Sequence, residues 1–231
     1  MTTVAIIVAA GKGNRAGGKV PKQWRTLAGK LVIDWSIDAF KNHSLIDFVV
    51  VVLPKNKTLH RNDVMTCTGG KSRSLSVYNG LIAAQKLSPD KVLIHDVARP
   101  AVSEDTITDI ILEINEETGA APGLPISDAL WKISDGEVQK TLNRDFIFRA
   151  QTPQGFPYSK IFKAHESQSD EQAFDDVELA KKIGLKVKLK TGHKDNMKIT
   201  TPEDFLKMSK ILVKKAGRKN NKESFGLNDR Y

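Results

Sequence analysis

The sequence predicts a three-layer α/β/α fold with a mostly parallel, twisted sheet. Apolar runs rich in β-branched residues, at residues 4–8, 48–53 and 91–94, are typical of strands buried on both faces of such a sheet. Segments with helical periodicity separate these runs, and the alternation favours parallel strands joined by helical crossovers. Ligands of such sheets bind beyond the carboxyl ends of the strands, so functional residues are expected directly after each run.

The remaining elements follow in order along the chain. Ser103 is a good N-cap for the helix that follows it, Gly184 is placed as a helix C-cap, and Pro202 suits the first turn of the last helix. The spacing predicts helices over residues 31–40, 72–85, 104–116, 158–167, 175–183 and from 202 onward. Further strands are expected over residues 64–67, 120–126 and 185–189.

The length of 231 residues suits one large α/β domain, which we place at residues 1–215. Residues 216–231 have the composition of a basic, flexible tail. From residue 127 to 149 the pattern changes to short alternating pieces on either side of Asp135 and Gly136, a strong hairpin signal. A β-arm is therefore expected to project from the main sheet over this range.

Composition narrows the possible partners. The net charge is +9, but the lysines and arginines are concentrated near the C-terminal end and the aromatic residues are not interleaved with them, so a nucleic-acid partner is not expected. No apolar run approaches the roughly 18–20 residues of a membrane span, and no export signal is recognisable. The single cysteine, Cys67, suits a cytoplasmic protein. The histidines show no metal-ligand spacing, so no protein-built metal site is expected.

The stretch after the first apolar run contains small residues and glycines, followed by three cations, Arg15, Lys19 and Lys22. Glycines let the backbone turn sharply and bring bare N–H groups close to a ligand. Arginine and lysine directly after such a loop suit a polyanion, most simply a phosphate chain. We therefore predict a nucleoside triphosphate site at residues 9–23.

The same loop has a second interpretation. The pattern Gly11-x-Gly13-x-x-Ala16 after a strand matches a relaxed dinucleotide-binding fingerprint, which would indicate an NAD-type oxidoreductase. In a dinucleotide site a helix begins directly after the loop, whereas here more glycines and Pro21 follow it. Such a site also has an acidic residue at the end of the second strand, whereas here that strand ends in Leu53. A triphosphate site is therefore favoured over a dinucleotide site. A purely structural turn would explain the glycines but not the cations.

At this point the motifs resemble those of a known family. The opening loop together with Pro21-Lys22-Gln23 resembles the signature of nucleotidylyltransferases that activate sugar and polyol phosphates. The further motifs are Gly69-Gly70-x-x-Arg73-x-x-Ser76-Val77, His95-Asp96-Val97-Ala98-Arg99-Pro100, Gln151-Thr152-Pro153-Gln154 and Asn196-Met197-Lys198-Ile199-Thr200. Six ordered motifs between about residues 4 and 212 resemble the 2-C-methyl-D-erythritol 4-phosphate cytidylyltransferases of the non-mevalonate isoprenoid pathway.

The resemblance implies a nucleotide-diphospho-sugar transferase-like fold and an enzyme that uses CTP. The expected reaction forms 4-diphosphocytidyl-2-C-methyl-D-erythritol and pyrophosphate, with Mg²⁺ carried mainly by the CTP phosphates. It also implies a homodimer through the β-arm. A ribitol 5-phosphate cytidylyltransferase shares nearly every motif and remains an alternative, as does a protein of this fold that binds CTP without catalysis.

The resemblance also implies roles for individual residues. Cations would grip the triphosphate, small residues would hold the nucleotide, and a third set would line the acceptor pocket. The implied catalytic residues are Arg15, Lys22 and Lys198. The implied nucleotide-binding residues are Ala9, Ala10, Gly11, Gly13, Gly70 and Ser76. The implied acceptor-binding residues are Asp96, Arg99, Thr152 and, across the dimer, Arg144.

Several residues depart from this scheme or lie outside it. Ala129 stands where the family usually has a substrate-contacting threonine, and Lys71 stands where an acidic or amide residue is common. His95 is expected to have a hydrogen-bonding role beside a strand end rather than an acid–base role. Asp175 and Asp176 fall in the first turn of a predicted helix, where carboxylates are favoured in any case, and they are left out of the site.

Overall fold

A computed structural model of the chain describes residues 1–11, 13, 16–18, 20–167 and 173–225, with side chains described up to residue 217. Arg15 and Lys19, two of the predicted phosphate-binding cations, lie outside the described residues. The α-helices are α1 (Val32–Lys41), α2 (Arg73–Ala84), α3 (Glu104–Glu113), α4 (Tyr158–Glu166), α5 (Asp176–Lys182) and α6 (Pro202–Phe225). The strands are β1 (Thr3–Val8), β2 (Thr26–Leu27), β3 (Lys30–Leu31), β4 (Phe48–Leu53), β5 (Met65–Thr68), β6 (Lys91–Asp96), β7 (Thr118–Pro125), β8 (Leu130–Ser134), β9 (Glu137–Leu142), β10 (Phe148–Ala150), β11 (Gln154–Pro157) and β12 (Lys186–Thr191).

Eight of these strands form one mixed sheet in the order β10-β7-β11-β6-β1-β4-β5, with β12 also paired to β7. Strand β1 lies parallel to β4 and β6, β4 is parallel to β5, and β7 is parallel to β12. Strands β10 and β11 run antiparallel to their neighbours. The predicted three-layer fold with a mostly parallel sheet is confirmed.

Burial of both faces of β1 explains its continuous apolar sequence. Ile7 packs into a cluster with α1 and α3 on one face, and Ile6 packs into a cluster with α2 and α4 on the other. Because side chains alternate along a strand, these two neighbours reach opposite layers. In the parallel register Val8 lies opposite Asp96, so β1 and β6 end side by side at the same edge of the sheet.

Local capping follows the sequence. The hydroxyl of Ser103 accepts a hydrogen bond from the Thr106 N–H at 3.2 Å at the start of α3. Gly184, after α5, has the positive φ of 79° that favours glycine at such a position. Asp135 also has a positive φ, within the tight turn that joins β8 to β9. These two strands form a separate two-stranded sheet, called here the β8–β9 hairpin (residues 130–142).

Other elements differ from the sequence-based expectations. The short hairpin of β2 and β3 and the strand β10 carry too few residues for a periodic signal, and none of them is predicted. Helix α3 ends at Glu113, because the chain then forms a bridge between Asn115 and Thr118. Helix α6 continues to Phe225 without a break at residue 215, where composition placed the domain boundary. Among the described residues no helix, α6 included, has both the length and the hydropathy of a membrane span.

Candidate active site

A cleft of about 810 Å³ lies at the edge of the sheet where β1 and β6 end. This is the edge at which ligands of open α/β sheets bind. Predicted site residues from four separate parts of the chain meet there. The lining includes Ala10, Gly11, Gly13, Lys22, Gly70, Lys71, Arg73, Ser76, Asp96 and Lys198.

Gln23 fixes the shape of the opening loop. Its side-chain amide donates hydrogen bonds to the carbonyl oxygens of Ala9 at 2.8 Å and Gly11 at 2.9 Å, and the residue is buried. Gly13 has a φ of 66°, and a Cβ there would lie 3.3 Å from Cγ of Lys22. The 3₁₀ helix at Lys22–Trp24 and the glycine loop therefore form one unit. Sequence reasoning used Gln23 only as part of a motif and did not assign it this role.

Lys22 and Lys198 reach the cleft from opposite ends of the chain. The ammonium group of Lys22 donates to the carbonyl oxygen of Ile199 at 2.7 Å. The ammonium group of Lys198 lies 2.7 Å from Oδ2 of Asp96. The Ile199 N–H donates to the Ala98 carbonyl at 2.8 Å, which ties the loop of Lys198 to the chain after β6. Two of the predicted catalytic cations thus lie in the same cleft.

Asp96 is the carboxylate of the cleft. Its Oδ2 contacts Lys198, and its Oδ1 accepts a hydrogen bond from Nε of Arg73 at 3.2 Å. Burial by itself raises the pKa of this carboxyl, but the charges of Arg73, Lys198 and Arg99 outweigh it and hold the pKa well below its usual range. Asp96 is therefore ionised at neutral pH, and cations hold its carboxylate.

Arg73 continues the network into the core. Its Nη2 lies 2.9 Å from Oδ2 of Asp176, whose Oδ1 is 3.1 Å from Nε2 of His165. Burial lowers the pKa of Arg73, yet the two neighbouring carboxylates outweigh it and raise the pKa. For Asp176 burial raises the pKa, but the charge of Arg73 and the hydrogen bond from His165 outweigh burial, so the pKa of this carboxyl is lowered. Asp176 was left out of the predicted site and does not line the cleft, but it contacts Arg73, which does and which is far from it in sequence.

The glycine pair at residues 69 and 70 is required by close packing. A Cβ on Gly69 would lie 2.3 Å from Cβ of Ala10, and one on Gly70 would lie 2.3 Å from Cγ of Leu75. The hydroxyl of Ser76 accepts from the Gly70 N–H at 3.1 Å and donates to the Ser72 carbonyl at 2.8 Å. With both hydrogen-bonding directions used, Ser76 shapes the turn at Gly70.

Thr152 and Arg99 lie behind Asp96, outside the residues that line the cleft. The Thr152 hydroxyl accepts from the Asp96 N–H at 3.1 Å and lies 3.0 Å from Nδ1 of His95. Because the Arg99 carbonyl beside Nε2 can only accept, Nδ1 is the unprotonated nitrogen of the neutral ring and the hydroxyl donates to it. Nε2 of His95 then carries the proton and donates to the Arg99 carbonyl at 3.2 Å. Burial lowers the pKa of His95 to about 3. The expected hydrogen-bonding role of His95 is confirmed.

The guanidinium of Arg99 is hydrogen-bonded to the backbone. It donates to the carbonyl oxygens of Asn196 at 2.7 Å and Ala150 at 3.2 Å. Arg144 is exposed beside the β8–β9 hairpin, and its guanidinium contacts the Ser127 carbonyl. Ala129 is also exposed and lies outside the cleft lining.

Metal-binding groups are scarce in this cleft. Among the described residues no cluster of three or more histidines, cysteines or carboxylates could hold a metal ion. In the described part of the cleft lining Asp96 is the sole carboxylate, and two cations already neutralise it.

The fold and the cleft at the carboxyl edge of its mostly parallel sheet are those expected of an α/β nucleotidyltransferase. The sequence model of the family described as "IspD: 2-C-methyl-D-erythritol 4-phosphate cytidylyltransferase" matches residues 3–214. The chain therefore belongs to this family. The resemblance drawn from the motifs is confirmed, and the dinucleotide-binding alternative is wrong.

Relatives of two lengths match the chain. A "Bifunctional enzyme IspD/IspF" from Ruegeria sp. (strain TM1040) is 46% identical over 217 residues, which cover 92% of this chain and 56% of the relative. The chain thus spans little more than half the length of this bifunctional protein. A "2-C-methyl-D-erythritol 4-phosphate cytidylyltransferase" from Cereibacter sphaeroides (strain KD131 / KCTC 12085) is 41% identical over 225 residues, which cover 94% of this chain and 100% of the relative.

A solved structure supports the same assignment. The crystal structure of Francisella tularensis 2-C-methyl-D-erythritol 4-phosphate cytidylyltransferase superposes with a TM-score of 0.79 at 28% sequence identity. The match covers 91% of this chain and 100% of that structure.

Proposed function

We propose that this chain transfers the cytidylyl group of CTP to 2-C-methyl-D-erythritol 4-phosphate. The products are 4-diphosphocytidyl-2-C-methyl-D-erythritol and pyrophosphate. Family membership supports the reaction class. The observation that carries the proposal is the meeting of Lys22 and Lys198 at the glycine loop, because it puts two cations beside a nucleotide-sized cleft.

The reaction needs charge stabilisation more than proton transfer. A phosphate oxygen of the acceptor attacks the α-phosphorus of CTP, a new P–O bond forms, and the bond to the β-phosphate oxygen breaks. Pyrophosphate leaves with the electron pair, and no proton has to move because the attacking phosphate is already anionic. Catalysis then consists of positioning and electrostatic stabilisation. Neutral His95, with both ring nitrogens hydrogen-bonded, fits a site without a general base.

The triphosphate is assigned to the opening loop and its cations. The backbone of Ala9, Ala10, Gly11 and Gly13 holds the nucleotide in a shape fixed by Gln23. Lys22 and Lys198 stabilise the negative charge that develops at the α-phosphorus, and Arg15, outside the described residues, is proposed to add a third cation.

The cytosine is assigned to the turn at residues 69–76. Backbone groups of Gly70 contact the base edge, and Ser76 acts through Gly70 because its hydroxyl is already used on both sides. Lys71 also lines the cleft, so its side chain adds a positive charge beside this subsite.

The acceptor is assigned to the side of the cleft at Asp96. The ionised carboxylate accepts hydrogen bonds from polyol hydroxyl groups. Thr152 and Arg99 support the chain around Asp96 through the Asp96 N–H, the Asn196 carbonyl and the Ala150 carbonyl. Arg144 is proposed to contact the acceptor bound by a partner subunit.

Magnesium enters as part of the Mg–CTP substrate and lowers the charge of the triphosphate. The donor set at Asp96 supports this, since both carboxylate oxygens already contact cations. A cytoplasmic location is part of the proposal, because the single cysteine of the chain, Cys67, is a free thiol.

A homodimer through the β8–β9 hairpin completes the proposal. Trp131, Ile133 and Val138 are 60%, 52% and 53% exposed on this hairpin. An exposed apolar cluster of this kind typically marks an interaction surface, and the occupant we propose is a second copy of the chain.

Pyrophosphate release tests the reaction. The full chain is mixed with Mg–CTP and either methylerythritol phosphate, ribitol 5-phosphate or no acceptor. We expect release only with methylerythritol phosphate. Turnover with ribitol 5-phosphate alone would assign the alternative acceptor, and CTP binding without release would identify a binding protein.

A further inference from the structure

A chain of alternating charges runs from the cleft into the core. Lys198 contacts Asp96, Asp96 contacts Arg73, Arg73 contacts Asp176, and Asp176 contacts His165. The outer members line the cleft, whereas Asp176 does not line it and its side chain is only 1% exposed. Asp176 therefore acts on the cleft through Arg73 or has no part in the reaction.

The guanidinium of Arg73 bridges two carboxylates. Its Nε lies 3.2 Å from Oδ1 of Asp96, and its Nη2 lies 2.9 Å from Oδ2 of Asp176. A guanidinium is a planar fork, so two carboxylates held by two different nitrogens fix its orientation as well as its position. With one partner missing, Arg73 can turn a two-donor edge toward the other carboxylate.

Stability alone does not explain a carboxylate at this position. Taking an aspartate out of water is costly, and replacing a buried ion pair by well-packed apolar residues is often neutral for stability. The position of Asp176 is nevertheless tightly defined. Its N–H donates to Oε1 of Gln154 at 3.1 Å, and α5 begins at this residue under the cap of Asp175.

We propose that Asp176 is a positioning residue for the reaction, holding Arg73 so that Asp96 keeps one oxygen on Lys198 and its orientation toward the acceptor. The inference rests on the proposed function, which assigns Asp96 to the acceptor. Without the Asp176 charge, Arg73 turns toward Asp96 and draws the carboxylate away from both the acceptor and Lys198.

Steady-state kinetics of Asp176→Asn test the proposal. We expect the KM for the acceptor to rise about tenfold while the KM for CTP stays within about threefold, because the displaced group belongs to the acceptor side. The matched control is Asp175→Asn, which removes the same charge one residue away, keeps an oxygen for the cap and does not touch Arg73. A fall in kcat alone, with both KM values unchanged, would mean a purely structural role and would overturn the proposal.

A double-mutant cycle identifies the route. In an Arg73→Ala background, Asp176→Asn is expected to cause no further change in kcat/KM for the acceptor, because the connecting side chain is gone. An equal loss in both backgrounds would contradict action through Arg73. Where Asp176→Asn does not fold, Arg73→Lys keeps the cation but removes the fork, and the same rise in acceptor KM is expected. An unchanged acceptor KM in that variant would overturn the proposal.

A readout that needs no turnover separates this inference from the proposed function. In ¹⁵N-detected spectra of the full chain, the Nε–H signal of Arg73, assigned by its loss in Arg73→Lys, is expected to be sharp and to broaden or shift in Asp176→Asn. An unchanged signal would overturn the inference even if the reaction is as proposed. Absence of turnover in the unmodified chain, with the signal change present, would instead contradict the proposed function.

Discussion

Two regions of the molecule use their side chains in opposite ways. One is the cleft wall, formed by Arg73, Asp96 and Lys198, and the other is the β8–β9 hairpin. In the cleft wall Asp96 is 9% exposed, and cations of the same chain contact both of its carboxylate oxygens. On the hairpin Trp131 is 60% exposed and Ile133 is 52% exposed. In the cleft wall the buried carboxylate is paired with cations of the same chain, whereas the hairpin leaves apolar side chains facing solvent.

This difference separates two kinds of function. A network of internally paired charges defines geometry, as a site for phosphate transfer requires. An exposed apolar face adds little to the stability of one chain but can contribute to association with another. Changes in the wall should therefore alter turnover, and changes on the hairpin should alter assembly.

The largest effect is expected for Lys22→Ala. Losing a cation that is proposed to face the α-phosphorus should lower kcat by about 10³-fold while circular dichroism stays unchanged. Lys41→Ala is the matched control, because Lys41 is an exposed lysine at the end of α1. Near-normal turnover in Lys22→Ala would remove the opening loop from the mechanism.

A second test concerns the turn at Gly70. In Gly70→Ala the new methyl group would lie 2.3 Å from Cγ of Leu75, so the turn must shift. We expect the KM for CTP to rise about tenfold, with about 1–3 kcal/mol lost from the free energy of unfolding. Gly11→Ala is the control for stability alone, since a Cβ there meets no atom within 4 Å. Equal stability losses in the two variants would contradict the close-packing explanation.

The buried ring of His95 predicts a pH dependence of stability. Its pKa in the folded chain is about 3, below the ordinary value of 6.5, because burial disfavours the charged form. The unfolded chain therefore binds this proton first, and stability should fall as the pH drops below about 6.5. Between pH 7 and pH 5 this one group lowers the free energy of unfolding by up to about 2 kcal/mol.

Urea unfolding at the two pH values measures this loss. The loss should be smaller in His95→Gln than in the unmodified chain, and His60→Gln, at an exposed histidine, should leave it unchanged. An identical loss in His95→Gln and the unmodified chain would exclude His95 as its source.

The hairpin should give the smallest change within one chain. Ile133→Ser combined with Trp131→Ser is expected to alter the free energy of unfolding of the monomer by less than about 0.5 kcal/mol, because both side chains are exposed. Light scattering should nevertheless show a shift from dimer to monomer. Leu112→Ser, at a residue 71% exposed on α3, should leave the oligomeric state unchanged. A dimer that survives the double substitution would place the interface elsewhere.

Local signals in the sequence were sufficient to predict the central strands and the sheet edge at which the candidate site lies. The apolar runs identified β1, β4 and β6, and the motifs placed Lys22, Asp96 and Lys198 at one sheet edge. These inferences depend on neighbours in sequence or on the general rule for ligands of parallel sheets. The antiparallel insertion of β11 between β6 and β7 was not predicted, because strand pairing is decided by packing across the whole domain.

Contacts between distant residues were beyond sequence reasoning. Nothing near Arg73 in the sequence indicates that Asp176 will meet it, and a carboxylate at the start of α5 already has a local explanation in the helix dipole. The hydroxyl of Ser76 looks available from its motif, but the folded turn uses both of its hydrogen-bonding directions.

One measurement tests the central claim most directly. Phosphorus NMR of the full chain with Mg–CTP and methylerythritol phosphate follows each phosphorus atom through the reaction. The proposed transfer predicts two new coupled signals from a diphosphate ester, one of them the former α-phosphorus, together with a pyrophosphate signal. Formation of CDP, of CMP or of inorganic phosphate in their place would contradict attack at the α-phosphorus by the acceptor phosphate.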